Sequence, residues 1–392
     1  MSDFPTTPLI KDFWRVNSYG YPSIFSPSEQ SRNAWRTFCS FFDFKKYDEL
    51  KQFWASDSAP WRLSSHAVES WKATFEEFGL LFVESGSNRI SVTKGGDQLR
   101  AAGDSGNLDQ FTWIGLNLLV RYPLRGVRRP KSETHGSSDL LLYRFFYAAL
   151  LDLSGFVWWS ELERILCRVF LTVNGPKAVA DILRLRKDPR LLTMVPLPVS
   201  ERHGVFYNSL NQVAVHAGMN HLTLGVDTQQ ENPYGASEPK RLHFIPSERG
   251  NLIRRVLNLD EPAPCTPTLL NVQKLPTAPK FETERDYFDY LGAAVPPWSE
   301  AAQPLVAINL QGDVVLILRN DTDYQLRDAN SIRGVAATLC QLARGQRIIL
   351  SHDKKWTYIV DDKNAVHPGE IVISVRRGRP ITNFAPVAKL LG

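Results

Sequence analysis

Residues 62–103 read RLSSHAVESWKATFEEFGLLFVESGSNRISVTKGGDQLRAAG. Ser64 or Ser65 can accept a backbone N–H at a helix start, and the helix is expected to run to Phe78. Val68, Trp71, Phe75 and Phe78 recur at helical spacing and form one apolar stripe. Gly79 can take the positive φ that ends a helix. Leu80 to Glu84 and Arg89 to Val92 are short extended runs, and Ser85-Gly86-Ser87-Asn88 between them is hairpin-turn chemistry. Thr93 then caps a helix that runs through Arg100.

Helix, β-hairpin, helix is the order of a winged helix. The phrase FGLLFVESGSNRISVTKGGDQL, residues 78–99, resembles that superfamily, in which an apolar T-x-x-G helix follows the wing. The resemblance implies that the 65–78 helix lies in a DNA major groove, about 12 Å wide, while the wing follows the backbone or minor groove. His66, Glu69, Ser70, Lys72 and Thr74 are then the outer face of the helix, and Ser87, Asn88 and Arg89 the wing tip. Asn and Arg can read base edges and Ser can bind phosphate. Glu69, Glu76 and Glu77 oppose this, because phosphates repel them. A winged helix that contacts protein instead of DNA fits the same pattern.

Upstream, residues 1–28 look irregular, and 29–56 carry two helices with aromatic faces: Trp35, Phe38, Cys39 and Phe42, then Tyr47, Leu50, Phe53 and Trp54. Downstream, a helix at 108–121 leads into RYPLRGVRRPK, residues 121–131. Arg121, Arg125, Arg128, Arg129 and Lys131 make this the densest basic run, suited to phosphate contacts. A winged helix followed by helices and the turn YPLRGVRRP resembles the layout of DNA-specificity regions in restriction and phage-defence proteins. Leu140 to Leu153 is a strongly apolar helix. Ser160 caps ELERILCRVF, and Gly175-Pro176 opens a helix that ends near Lys187. A further winged-helix-like unit is expected at 205–257. It has a helix at 206–217, extended runs His221 to Val226 and Arg241 to Ile245, a loop 227–240 as an oversized wing, and a helix capped by Ser247.

Eight prolines fall in 261–304, which is linker composition, although Phe281 to Leu291 can form a short helix. Pro304 to Leu318, Arg347 to Leu350, Trp356 to Val360 and Ile371 to Val375 are β-like, with a helix at 328–344. The expected fold is mainly α with β-hairpin wings: multiple winged-helix-like units, then a small α+β C-terminal domain. The expected domains are 1–125, 126–260, a Pro-rich linker at 261–302, and 303–392.

Of 392 residues, 43% are hydrophobic and 11% aromatic, with ten Trp, which excludes global disorder. A net charge of +5 permits nucleic-acid contact without demanding it. Cys39, Cys167, Cys265 and Cys340 are too scattered for a structural zinc site, so no metal and no cofactor is expected. The N-terminus lacks a signal-peptide pattern and no run of about 18 apolar residues occurs, so a cytoplasmic protein without a membrane partner is expected. No G-x-x-x-x-G-K-[ST] loop and no G-x-S-x-G is present.

These readings converge on a non-catalytic DNA-binding subunit of a bacterial regulatory or antiviral defence complex, with duplex DNA and a protein subunit as partners. His66, Ser70, Lys72, Asn88, Arg89, Arg121, Arg125, Arg128, Arg129 and Lys131 are the expected DNA contacts, with Arg376 and Arg377 of the tail Arg376-Arg377-Gly378-Arg379 as a second phosphate contact. One alternative is a protein adaptor that uses winged helices and aromatic surface such as Trp158-Trp159 as interface. Another is a metal-dependent nuclease in which Asp313 and Asp361 hold Mg²⁺ and Lys363 activates water, although the Asp361-Asp362-Lys363 segment reads equally as a hairpin turn.

Overall fold

A computed structural model describes residues 4–16, 24–25, 32–56, 65–126, 132–153, 155–199, 204–218, 222–226, 233–235, 240–244, 253, 256–257 and 271–297, and the backbone of strands at 305–308, 314–318, 348–352, 356–361 and 372–376. Among these residues the protein is mainly helical. The chain divides into two compact units. One comprises Met1–Ala149, Val157–Leu242 and Val272–Trp298; the other comprises Leu150–Phe156, His243–Asn271 and Ser299–Gly392. The expected boundary at 125/126 therefore falls inside one unit, and residues 272–298 of the expected linker belong to that unit as well.

The first unit opens on an irregular strap, residues 4–16, in which Phe4, Thr7, Asp12, Phe13, Trp14 and Val16 are buried. Trp14 donates its indole N–H to the Val169 carbonyl (2.8 Å) and its backbone N–H to that of Cys167 (3.0 Å). Thr6 and Thr7 each give a backbone N–H and a hydroxyl to the Asp181 carboxylate at 2.7–3.1 Å. Helices α1 (Arg32–Ser40), α2 (Tyr47–Ala55) and α3 (Ser65–Glu77) follow. Their apolar faces meet in an aromatic core where Phe38, Phe41 and Trp71 ring Phe75 at 5.3–5.7 Å between centroids. Each such pair adds about 0.5–1.5 kcal/mol beyond the area it buries.

The end of α3 is a Schellman cap. Gly79 has φ +68°, its N–H donates to the Glu76 carbonyl, and Leu80 N–H donates to that of Phe75. The helix thus stops at Glu77, one residue before the expected end. Strands β1 (Leu81–Val83) and β2 (Ile90–Val92) pair antiparallel with Leu81 opposite Val92. Gly86 and Asn88 carry the turn between them at positive φ. A third strand segment joins this ribbon: Tyr47 N–H donates to the Asn88 carbonyl (2.8 Å), Ile90 N–H to that of Lys45 (2.9 Å), and Lys46 bridges Arg89 antiparallel. The segment between α1 and α2 is therefore the outer neighbour of β2.

Thr93 caps α4 (Lys94–Asp104), accepting from Gly96 N–H at 3.0 Å, and α4 extends past the expected end at Arg100. A Cβ at Gly96 would collide with the Leu80 carbonyl, so glycine there lets α4 close on the hairpin. After α5 (Leu108–Leu119) and the short α6 (Glu133–Gly136) comes α7 (Leu142–Asp152). Strand β3 (Phe156–Trp158) leads into α8 (Trp159–Arg164). Here the expectation is corrected. Ser160 lies inside α8; the Glu161 carboxylate accepts the Trp158 N–H (2.9 Å), and the helix ends at Arg164. Helices α9 (Gly175–Lys187) and α10 (Gly204–Gly218) follow the expected pattern. Strands β4 (Leu222–Val226) and β5 (Lys240–Phe244) form a three-stranded sheet with β3, in the order β3-β5-β4. Helix α11 (Glu284–Leu291) packs on the first hairpin, with Phe288 stacked on Phe82 at 4.7 Å and Leu291 and Tyr287 buried beside it.

In the second unit, β6 (Leu305–Ile308), β7 (Val314–Leu318), β8 (Ile348–His352), β9 (Trp356–Asp361) and β10 (Val372–Arg376) form one sheet in reverse chain order. β7 and β8 are parallel and the other pairs antiparallel. The expected helix at 328–344 and most of the loop 227–240 lie outside the described residues. Of the helix expected after Ser247, Ile253, Val256 and Leu257 are described; all three are buried, and Leu257 N–H donates to the Ile253 carbonyl at 3.0 Å.

Candidate nucleic-acid interface

Helix α3 offers less than its sequence suggested. Lys72 is half-buried, 4.8 Å from the Tyr47 ring centroid and 4.0 Å from the Glu76 carboxylate. Glu76 is itself buried and accepts the Val83 N–H at 2.9 Å, so it anchors the hairpin to the helix. Thr74, expected on the outer face, is buried, and its hydroxyl donates to the Ser70 carbonyl. The reason is angular: Thr74 stands three residues after Trp71 and four before Phe78, spacings that place it beside both on the helix surface, at the rim of the aromatic core. Glu77 accepts the Tyr122 hydroxyl at 2.5 Å. Ser70 is half-buried, Glu69 and Ala73 are exposed, and of His66 the backbone alone is described.

The β1–β2 hairpin carries more charge. Arg89 is exposed, and across the ladder stands Lys46, also exposed, with Lys45 beside it. Lys94 is exposed at the base of the hairpin. None of these four cations is held in an ion pair among the described residues. Glu84, in the turn of the hairpin, is occupied: it accepts the hydroxyls of Ser91 (2.9 Å) and Ser87 (3.1 Å), which hold its pKa below the usual carboxylate value, with Arg89 adding to the effect. Asn88, expected to read bases, gives its amide to Asp48 at 2.8 Å and ties the hairpin turn to α2. Lys45 and Lys46 were not singled out from the sequence, because their neighbour Arg89 lies more than forty residues on.

The basic run divides. Arg121 is half-buried and donates to the carbonyls of Ala293 (2.6 Å) and Ala294 (3.3 Å), so part of its fork ties α5 to the segment after α11. Arg125 is half-exposed. Arg128, Arg129, Lys131 and Arg377 lie outside the described residues, and Arg376 is described as backbone, paired with Thr357 at the end of β10. A second arginine, Arg144 in α7, lies within electrostatic reach of Arg121. It was missed because it sits in the otherwise apolar run LYRFFYAALLD.

A groove of about 820 Å³ runs between β2 and α11, lined by Phe82, Arg89, Lys94, Arg285, Phe288 and Asp289 among others. Its charges are mixed: Arg285 pairs with Asp289 at 3.0 Å and lies over the Phe82 ring. Of the nuclease candidates, Asp361 is the last residue of β9, opposite Val372 of β10. The segment that follows it therefore joins two antiparallel neighbours, and Asp313 and Lys363 lie outside the described residues. Among the described residues no group of three metal-ligating side chains occurs, and no helix is long and apolar enough to cross a membrane. In comparisons with known proteins the chain matches no family model and no curated relative.

Proposed function

We propose that the chain is a non-catalytic DNA-binding subunit built on winged helices, and that it grips the duplex backbone through the edge of its first wing. One observation carries this reading. Lys46 and Arg89 stand opposite each other in an antiparallel bridge, flanked by Lys45 and Lys94. Like charges directly opposite on a ladder destabilise it. A polyanion turns that cost into binding, because each neutralised phosphate releases condensed counterions.

The topology supports the winged-helix part. In the first ribbon, the segment between two helices joins the outer side of the hairpin's second strand. The order β3-β5-β4 repeats this: β3, between α7 and α8, neighbours β5, the second of the two later strands. The strand order repeats, although two helices, α2 and α3, precede the first hairpin and three, α8, α9 and α10, separate β3 from β4; the shared strand order fits two units of related kind. A role in a bacterial regulatory or defence complex, with a protein partner, extends the proposal by analogy of layout. The exposed Glu69 on α3 favours the adaptor as second reading, since an acidic outer face suits a protein better than a major groove.

Anisotropy of a fluorescent duplex at low salt separates the two. The Lys45→Glu/Lys46→Glu/Arg89→Glu variant is expected to bind at least tenfold more weakly than the wild type. Equal affinity refutes the wing-edge grip, and absence of duplex binding by the wild type leaves the adaptor.

A further inference from the structure

The start of α7 lies against the basic run. Leu142 N–H donates to the Tyr122 carbonyl and Leu124 N–H to that of Leu140, both at 2.9 Å, and Pro123 bridges Leu141. This pairing sets Arg121 near Arg144, the third residue of α7, and both near Tyr290 of α11. Arg121 is held in place by the Ala293 and Ala294 carbonyls and keeps further N–H groups. Arg144 makes no hydrogen bond or ion pair with any described residue, and its Nε is shielded from solvent. Burial disfavours the charge on each guanidinium, and the Arg144 charge further disfavours that on Arg121. Two half-buried cations within electrostatic reach of each other are costly to hold without a counter-charge, and no carboxylate among the described residues pairs with either.

We propose that Arg121 and Arg144 form a fork for a phosphate group, with the Tyr290 hydroxyl as a third donor. Phosphate suits the set better than a carboxylate. Two planar guanidiniums offer parallel N–H pairs that match several anionic oxygens at once. The first turn of α7 adds the partial positive charge of a helix start. Tyr290 stays a donor, since burial raises its pKa. The same chemistry is presented by free phosphate and by a nucleic-acid backbone. The site is argued independently of the wing edge, and the two can fail separately.

The test uses the full chain as wild type, Arg144→Gln, Arg144→Lys and Tyr290→Phe. Thermal unfolding is followed in sodium phosphate and in sodium chloride of equal ionic strength, and duplex affinity is measured alongside. A free-phosphate site predicts a Tm raised by phosphate in the wild type, lost in Arg144→Gln, and reduced in Arg144→Lys and Tyr290→Phe. A backbone site predicts no phosphate shift but duplex binding about tenfold weaker in Arg144→Gln. If Arg144→Gln folds and matches the wild type in both measurements, the site does not exist. If it does not fold, Arg144→Lys decides, because it keeps the charge and loses the fork; a wild-type response from it overturns the proposal. A phosphate shift without any duplex binding upholds this site and rejects the DNA reading.

Discussion

Individual polar residues hold the first unit together through contacts that span the chain. Glu161 is fully buried and accepts from the Trp158 N–H, the Tyr234 hydroxyl and the Arg186 guanidinium, the last bidentate at 2.8 Å. Asp12 does the same for the strap. It accepts from the Ser132 hydroxyl, the Phe13 N–H (2.9 Å) and Arg15 (3.1 Å), while His135 Nδ1 lies 2.7 Å from the Ser132 oxygen. Burial pushes the Asp12 pKa up, but the hydrogen bonds from Ser132 and Phe13, with the charges of His135 and Arg15, outweigh it and leave it lowered from 3.8. A carboxylate with a depressed folded pKa stabilises the protein above its unfolded pKa and loses that contribution as pH falls through the folded value. Asp12→Asn is therefore expected to cost about 1–3 kcal/mol at neutral pH. The gap to wild type, measured by urea unfolding, should close as pH falls below 3.8. A gap that stays constant on acidification contradicts this account. None of these partners was legible in the sequence, because each pairs residues brought together by tertiary packing. Arg121 shows the converse: a run of cations reads as free charge until the carbonyls that one of them serves are in view.

At the scale of elements the sequence was far more explicit. The stripe Val68, Trp71, Phe75 and Phe78, the glycine stop and the threonine cap are local signals, and the structure places all of them as expected. The α8 start was missed because the capping group is a glutamate three residues on, whose acceptor role depends on Arg186 holding it in place. Helix α11 was legible as a helix but not as a packed one: proline content marked its surroundings as linker, while Tyr287, Phe288 and Leu291 supply a buried face. Phe288→Ala removes the ring stacked on Phe82. A loss of about 3–5 kcal/mol follows for a buried Phe→Ala change, read by denaturant unfolding, with proteolysis near 281–297 as an independent sign that α11 has come away. A loss within 0.5 kcal/mol, near the usual size of a surface change, would mean that α11 does not brace the hairpin.

For the whole molecule, the central claim is that a cationic wing edge meets a duplex backbone. Its parts were present in the sequence, but not their assembly. FKKYDEL and SNRIS are unremarkable apart; the ladder that sets Lys46 against Arg89 makes them one surface. Contacts of this kind leave a thermodynamic signature that specific base reading does not. The logarithm of the binding constant falls linearly with the logarithm of salt concentration, with a slope of about −0.9 per phosphate neutralised. The decisive measurement is that slope for wild type and for Lys45→Gln/Lys46→Gln/Arg89→Gln on the same duplex. The wing-edge grip predicts a slope shallower by about 2–3 in the variant, from three lost phosphate contacts. Identical slopes would contradict it.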